Sequence, residues 1–416
     1  MSRQEVEFEE LYAEDSRNGV YKAKEFHGSG VRVVNMGELF GFDRIGDQPM
    51  NLIQLTDREM EKSSLLDGDL LFGRRSLVEE GAGKCSLVHK PTQPMTFESS
   101  IIRVRLNQEV ADPQFYFYYF KSSVGRSRVM AIVNGVTVKG IRGSELKRIL
   151  VHRPPIEVQI KVRDLLSVYD DLIAANQRRI QLLEESARLL YREWFVSLRF
   201  PGHETVPFSD GVPNGWDRKP LTEMVDCNPK TAFPKDVVRP FVGMEALSTD
   251  SMLIDVSEAR LITGGAKFRN GDTLLARITP CIENGKTGFV QFLEDNEAAA
   301  SGSTEFIVLR SRTVNPYWIY CLARSESFRE HAIRSMAGSD GRQRVNPKCF
   351  DQFFVLQPPA AVLQHFEDNV KDMFEQVQSL TNYNRILMQA RDMLLPKLMS
   401  GVLDVNRIVV PKEVAA

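Results

Sequence analysis

The chain is written twice, and that duplication limits what it can fold into more than any other feature. Asp67-Gly68-Asp69-Leu70-Leu71-Phe72-Gly73-Arg74 returns as Asn270-Gly271-Asp272-Thr273-Leu274-Leu275-Ala276-Arg277, 203 residues later when Gly68 is set on Gly271. Asp112-Pro113 returns as Asn315-Pro316, each followed by an aromatic run (Phe115–Phe120 and Tyr317–Tyr320). Lys121-Ser122 returns as Arg324-Ser325, and Pro154-Pro155 as Pro358-Pro359. Earlier, Val33-Val34-Asn35-Met36 is similar to Phe241-Val242-Gly243-Met244. The matches keep their order and nearly constant spacing. So large an offset is no solenoid period; it describes two copies of a two-part module.

The first part of each module mixes short β-type runs (Val31–Val34, Ile101–Val104, Phe306–Leu309) with Gly, Asp and Asn turns and at least one helix. This pattern predicts a compact α+β domain. The second part begins after the Pro-Pro pair and reads as one long helix. Val162, Leu166, Tyr169, Ile173, Asn176, Ile180, Leu183, Ala187, Leu190 and Trp194 alternate in steps of four and three, the spacing of a coiled-coil seam. The second copy repeats it at Phe366, Val370, Met373, Val377, Leu380, Asn384, Leu387, Arg391, Leu394 and Leu398. At 1.5 Å per residue the stretch from 162 to 194 would run about 48 Å. A seam of that length needs a partner, and the nearest is the other copy. The expected fold is α+β: two pseudo-repeated globular α/β domains separated by two long helices that form an antiparallel coiled coil with a pseudo-twofold axis. One Asn enters each seam, Asn176 and Asn384, and is expected to fix register at some cost in stability. The expected boundaries are a first domain at 1–155, with residues 1–17 flexible, and a central helix at 156–200. A second domain comes next at 201–357, then a C-terminal helix at 358–404 and a tail at 405–416.

Composition excludes several classes. No apolar run is long enough to span a bilayer, and the polar opening Met1-Ser2-Arg3-Gln4-Glu5 does not read as a signal peptide, so a cytoplasmic protein is expected. Cys85, Cys227, Cys281, Cys321 and Cys349 are odd in number and never spaced as CxxC, which suits reduced thiols and no metal site. His203-Glu204 lacks the second histidine of a zincin. A formal charge of −2 is unlike a typical nucleic-acid binder, but the charge is segregated. From Lys121 to Arg153 lie Lys121, Arg126, Arg128, Lys139, Arg142, Lys147, Arg148 and Arg153 against the single acid Glu145. The first twenty residues carry Glu5, Glu7, Glu9, Glu10, Glu14 and Asp15. Such a distribution permits a binding surface without requiring one.

Several motifs carry a family resemblance. Leu190-Tyr191-Arg192-Glu193-Trp194-Phe195, followed by Arg199-Phe200-Pro201-Gly202-His203-Glu204, resembles the end of the central helix in specificity subunits of type I restriction–modification systems. Leu394-Leu395-Pro396-Lys397-Leu398-Met399-Ser400-Gly401 resembles the end of that family's C-terminal helix. Pro213-Asn214-Gly215-Trp216 and Gly338-Ser339-Asp340-Gly341-Arg342-Gln343-Arg344-Val345 are similar to further features of it. The resemblance runs from about Asn18 to Val405 and includes the order of parts. It implies two target-recognition domains, each reading one half of a split, asymmetric site in double-stranded DNA, with the helix pair as spacer. It further implies two methylation subunits as partners and, through them, restriction (translocase) subunits, all serving phage defence. S-adenosylmethionine and ATP with magnesium would be bound by those partners and no cofactor by this chain.

Base reading favours Arg, Lys, Asn and Gln at groove edges, and phosphate contacts favour Arg, Lys and backbone amides. Candidates occupy matching places in both copies. Arg74 and Arg277 come after the Gly-Asp turn and its short apolar strand; Lys84 and Lys286 come after a glycine. The loops before the Pro-Pro pairs carry Asn134, Thr137, Lys139 and Arg142 in the first copy, and Arg342, Gln343, Arg344 and Asn346 in the second. The plain alternative for Arg74 and Arg277 is an ion pair with a neighbouring Asp, and for the aromatic runs a place in the core. Asn284-Gly285-Lys286-Thr287 fails the phosphate-loop pattern because Pro280 stands where its first glycine belongs. A methyltransferase would need an Asn/Asp-Pro-Pro-aromatic motif, whereas the Pro-Pro pairs here are followed by Ile156 and Ala360. No catalytic residue is assigned. Two rivals remain on the sequence: a specificity subunit of another multi-subunit restriction or defence system, and a coiled-coil scaffold without DNA specificity.

Overall fold

The computed structural model describes residues 4–78, 81–232, 237–256, 258–261, 264–294, 298–338 and 342–407. The chain divides into two compact units, Met1–Ile173 with Ile386–Ala416, and Ala174–Arg385. Each unit holds one globular domain and one half of each long helix.

In the first unit the central sheet has five strands in the order Tyr12–Asn18, Ile101–Leu106, Leu70–Gly73, Cys85–Val88, Arg44–Ile45. In the second, four strands keep the same order: Val225–Cys227, Phe306–Ser311, Thr273–Ala276, Thr287–Phe289. The repeated Leu-Leu strand shows why these residues form a central strand. Strand side chains alternate between faces, and both faces here are covered. Leu70 and Phe72 enter one core with Phe8, Ile102 and Tyr116, while Leu71 enters another with Val34, Met95 and Ile101. Leu275 and Leu274 divide in the same way in the second unit. The second face is closed by another sheet, of three strands in the first unit and four in the second. There His27–Val34 runs parallel to Met95–Phe97, and Val238–Val242 parallel to Ala299–Gly302.

The first face is closed by the aromatic helices α1 (Pro113–Lys121) and α3 (Pro316–Ala323), with α2 (Ile156–Tyr191) and α4 (Ala360–Met399) behind them. α1 starts where Asp112 accepts the amide of Phe115 (2.8 Å), and α3 where Asn315 accepts that of Trp318 (2.8 Å), each with Pro in the first turn. Phe115–Phe120 are all buried, so this aromatic run is core.

Within each unit α2 and α4 run antiparallel. In the first, Asp170 meets Arg391 (2.6 Å), and nearer the start of α2 Lys161 meets Asn406 in the turn beyond the end of α4 (2.7 Å). In the second, Asn176 Nδ2 donates to Asn384 Oδ1 (2.8 Å), Arg179 to Gln376 (2.9 Å), and Trp194 packs on Phe366 at 5.9 Å between ring centroids. Val162, Leu166, Ile173, Ile180, Trp194, Phe366, Val370, Val377, Asn384, Leu387 and Leu398 are buried. Tyr169, Asn176, Leu183, Leu190, Met373, Leu380 and Leu394 are half-buried. The two seam asparagines thus satisfy each other, and a slip of one turn would leave the buried Asn384 amide without Asn176.

Three expectations need correction. The central helix is regular only to Tyr191; Arg192–Val196 winds more widely, which carries Trp194 into the second core. α4 starts at Ala360, after two prolines that lack an amide proton, and closes beyond Met399 where Gly401 adopts a left-handed φ of 67°. The acidic opening stretch is not flexible over its described part: Glu5–Glu7 pairs with Leu150–His152, and Tyr12–Asn18 with Ile101–Leu106.

Candidate nucleic-acid interface

The Gly-Asp turn before each central strand is an anchor. Arg105 donates from Nε and Nη2 to the two oxygens of the buried Asp69 (2.7 and 2.8 Å), and Arg310 does the same to Asp272 (2.7 and 2.6 Å). The neighbouring aspartates are therefore spoken for, and the ion pair expected as the plain alternative for Arg74 and Arg277 does not form with them.

Each central strand ends in the same device. The Ile141 amide donates to the Arg74 carbonyl (3.0 Å), and the Val345 amide to the Arg277 carbonyl (2.8 Å). Asn134 and Gly140 exchange both backbone hydrogen bonds (2.9 and 2.8 Å), and so do Ala337 and Arg344 (3.2 and 3.0 Å). Each loop then turns on a left-handed glycine, Gly135 at φ 112° and Gly338 at φ 136°, where a side chain would be strained. Two loops from distant parts of the sequence are thereby clipped to the residue that ends a central strand. In the first unit this gathers Arg74, Asn134, Thr137, Lys139 and Arg142; in the second, Arg277, Arg342, Gln343, Arg344 and Asn346. Ser339, Asp340 and Gly341 of the loop motif lie outside the described residues.

The side chains within this frame differ. Arg74 is half-buried and reaches the Ser99 carbonyl at 3.4 Å. Thr137 and Arg142 are exposed, and Lys139 pairs through its backbone with Ser76. In the second unit Glu305 stands where the first has Ser100, since their carbonyls accept from Arg277 and Arg74 respectively (3.0 and 2.8 Å). The Arg344 guanidinium grips Glu305 through Nε (3.0 Å to both oxygens) and Nη2 (2.8 Å), with Arg277 at 3.9 Å. The hydrogen bond from Arg344 holds the Glu305 carboxyl below the usual range. Asn346 caps a short 3₁₀ turn by accepting from the Lys348 amide (3.1 Å).

Lys84 and Lys286 are placed differently. Lys84 Nζ donates to the Phe40 carbonyl (2.6 Å) and Lys286 Nζ to the Met244 carbonyl (2.8 Å), so each ties a loop to the central sheet. Burial lowers the Lys84 pKa. Much of the basic stretch is also consumed internally, because the acidic opening folds onto it. Glu5 pairs with Arg128, Glu9 with Lys147 (2.8 Å), and Lys121 with Asp43 (2.5 Å). Sequence reading missed Arg75, exposed beside Arg74 and opposite Gly140 in the short ladder, and it missed Glu305. The doubled arginine at 74–75 was the available signal for the first.

Fold and loops define a class: a duplicated chain of two β-rich modules with matching clipped loops, each packed on antiparallel segments of two long helices. A model of the family described as "Type I restriction modification DNA specificity domain" matches residues 30–185. The specificity subunit of the type I restriction enzyme MjaIX from Methanocaldococcus jannaschii is 22% identical over 407 residues, covering 93% of this chain and 90% of that one. The HindI specificity subunit from Haemophilus influenzae is 19% identical over 411 residues, covering 82% and 87%. Among solved structures, the type I restriction–modification S subunit from M. genitalium shares the fold with a TM-score of 0.55 at 15% identity, covering 96% of each chain. Over most of its length the chain is thus similar to the specificity subunits of type I restriction–modification systems. No helix of the described residues is long and apolar enough to cross a membrane.

Proposed function

We propose that this chain recognises a bipartite, asymmetric site in double-stranded DNA, each module reading one half, and brings partner subunits to it. The observation that carries this reading is the repeated clip, with Ile141 on Arg74 and Val345 on Arg277. It sets a loop bearing basic residues at the same place in both modules while the loop sequences differ. Identical frames with different side chains suit two unlike half-sites, which a symmetric homodimer would not supply. In this reading the partners are two methylation subunits and, through them, restriction subunits. S-adenosylmethionine and ATP with magnesium are used by those partners, in the cytoplasm.

The helix pair then sets the number of unread bases between the halves. Removing one heptad from α2 and one from α4, opposite each other so that the seam stays in phase, shortens the pair by about 10 Å. At about 3.4 Å per base pair the gap in the methylated site should contract by roughly three base pairs, with both half-sites unchanged. Methylome mapping of a strain carrying the doubly shortened chain reads this directly. Altered half-sites with an unaltered gap would refute the spacer role.

A further inference from the structure

The clipped loops of the two modules share a pairing, Arg75 with Gly140 in the first and Ile278 with Arg344 in the second, but among the described residues they differ in the side chains they present. Arg75–Ser76 and Lys139–Gly140 form a two-stranded ribbon, Lys139 opposite Ser76 and Gly140 opposite Arg75. Beyond these pairs the ribbon ends in aliphatic side chains left in solvent: Leu77 is 83% exposed and Val136 95%, with Val78 and Val138 also exposed. Single exposed aliphatics are ordinary. Four at one ribbon tip, next to the pair that holds the exposed Arg75, are not, because among the described residues nothing in the module's own packing buries them. The equivalent loop of the second module offers Arg342, Gln343 and Arg344 instead.

The cations along the ribbon, Arg75 near the tip and Arg142 at its base, select the occupant, since an apolar tip on a basic ribbon suits an anionic surface with an apolar feature inside it. The major groove of DNA admits a two-stranded ribbon, its walls are phosphate, and its one aliphatic group is the C5-methyl of thymine. We propose that the 77–78/136–138 ribbon tip enters the major groove of the half-site read by the first module and senses thymine methyl groups there, with Val136 and Leu77 as the specificity-determining contacts. The assignment rests on the DNA-reading function proposed above and names the chemistry of one half of it.

The test uses the chain in complex with its methylation subunits and duplexes of the mapped site in which each thymine of the first half-site is replaced in turn by deoxyuridine. This exchange removes the methyl and leaves base pairing intact. At least one replacement should weaken binding about fourfold, the worth of one buried methyl-sized group, whereas replacements in the second half-site should not. In V136A or L77A, both solvent-exposed changes expected to leave the unfolding transition unmoved, that penalty should shrink or vanish, because the variant has lost the group that senses the methyl. The proposal is overturned if deoxyuridine throughout the first half-site has no effect, if the penalty persists unchanged in both variants, or if that half-site contains no A·T pair. In each of those outcomes a bipartite methylated site would still stand, so failure here is distinct from failure of the DNA-reading function.

Discussion

Replacing Glu184 by alanine should lower the urea midpoint of the second unit by about 1–2 M, equivalent to about 3–5 kcal/mol. Glu184 lies on α2 and is almost fully buried. It accepts the Tyr320 hydroxyl (2.5 Å), the Met252 amide (2.8 Å) and the Ser251 hydroxyl (3.2 Å). Its carboxylate also lies 3.7 Å from Arg324, whose side chain is equally buried and whose Nη1 is held by the carbonyls of Thr249 and Gly285. Truncation would leave a buried cation uncompensated and a buried hydroxyl without its acceptor, the costly way to break such a group. The chain reports on this unit without modification, because its three tryptophans, Trp194, Trp216 and Trp318, all lie within Ala174–Arg385. Fluorescence-monitored urea unfolding of E184A is the measurement. The exposed neighbour in E185A should shift the same transition by no more than about 0.5 kcal/mol. Equal shifts for the two would mean that Glu184 is not the fastening between helix and domain.

The largest effect on DNA is expected from R277A/R342A/R344A. A good arginine–base contact is worth about 1–3 kcal/mol, so the triple variant should lose about 100-fold or more in affinity. The loss of discrimination should be confined to the second half-site. Arg344 should account for more than Arg342, since its removal also uncovers the Glu305 carboxylate that it now covers. The salt dependence separates the roles: each lost phosphate contact lowers the log–log slope by about one, while a lost base contact relaxes sequence preference instead. K286A is the contrasting case. Its ammonium is engaged with the Met244 carbonyl, so it should cost about 1 kcal/mol in stability and little in affinity. Equilibrium binding of single-base variants of the mapped site over a range of salt tests both.

The sequence made some of this legible and hid the rest for a physical reason. Period and repetition are local properties. The duplicated Gly-Asp-apolar strand, the four-and-three spacing of Val162 to Trp194 and its echo from Phe366 to Leu398 therefore read directly as two modules and two helices. The meeting of Asn176 with Asn384 comes from the same register. Pairings between distant elements have no period. Nothing near Asp69 announces Arg105 as its partner, and nothing near Glu184 announces Tyr320; both are fixed by which strand or helix lies alongside. For the same reason the charge asymmetry between the opening stretch and residues 121–153 overstated the free positive surface, because Glu5 and Glu9 fold onto Arg128 and Lys147. The candidate loops were found by position in the repeat. Which of their side chains are engaged, as Lys84 and Lys286 are, emerged only with the fold.

The central claim is that this one chain selects a split DNA site. It is tested most directly by single-molecule mapping of N6-methyladenine in the native host, compared with the same strain deleted for the gene and with one carrying R277A/R342A/R344A. The expected result is a bipartite, asymmetric motif that is methylated in the host, unmethylated in the deletion, and weakened or broadened only in its second half in the variant. A methylome unchanged by the deletion, or a variant that alters both halves alike, would contradict it.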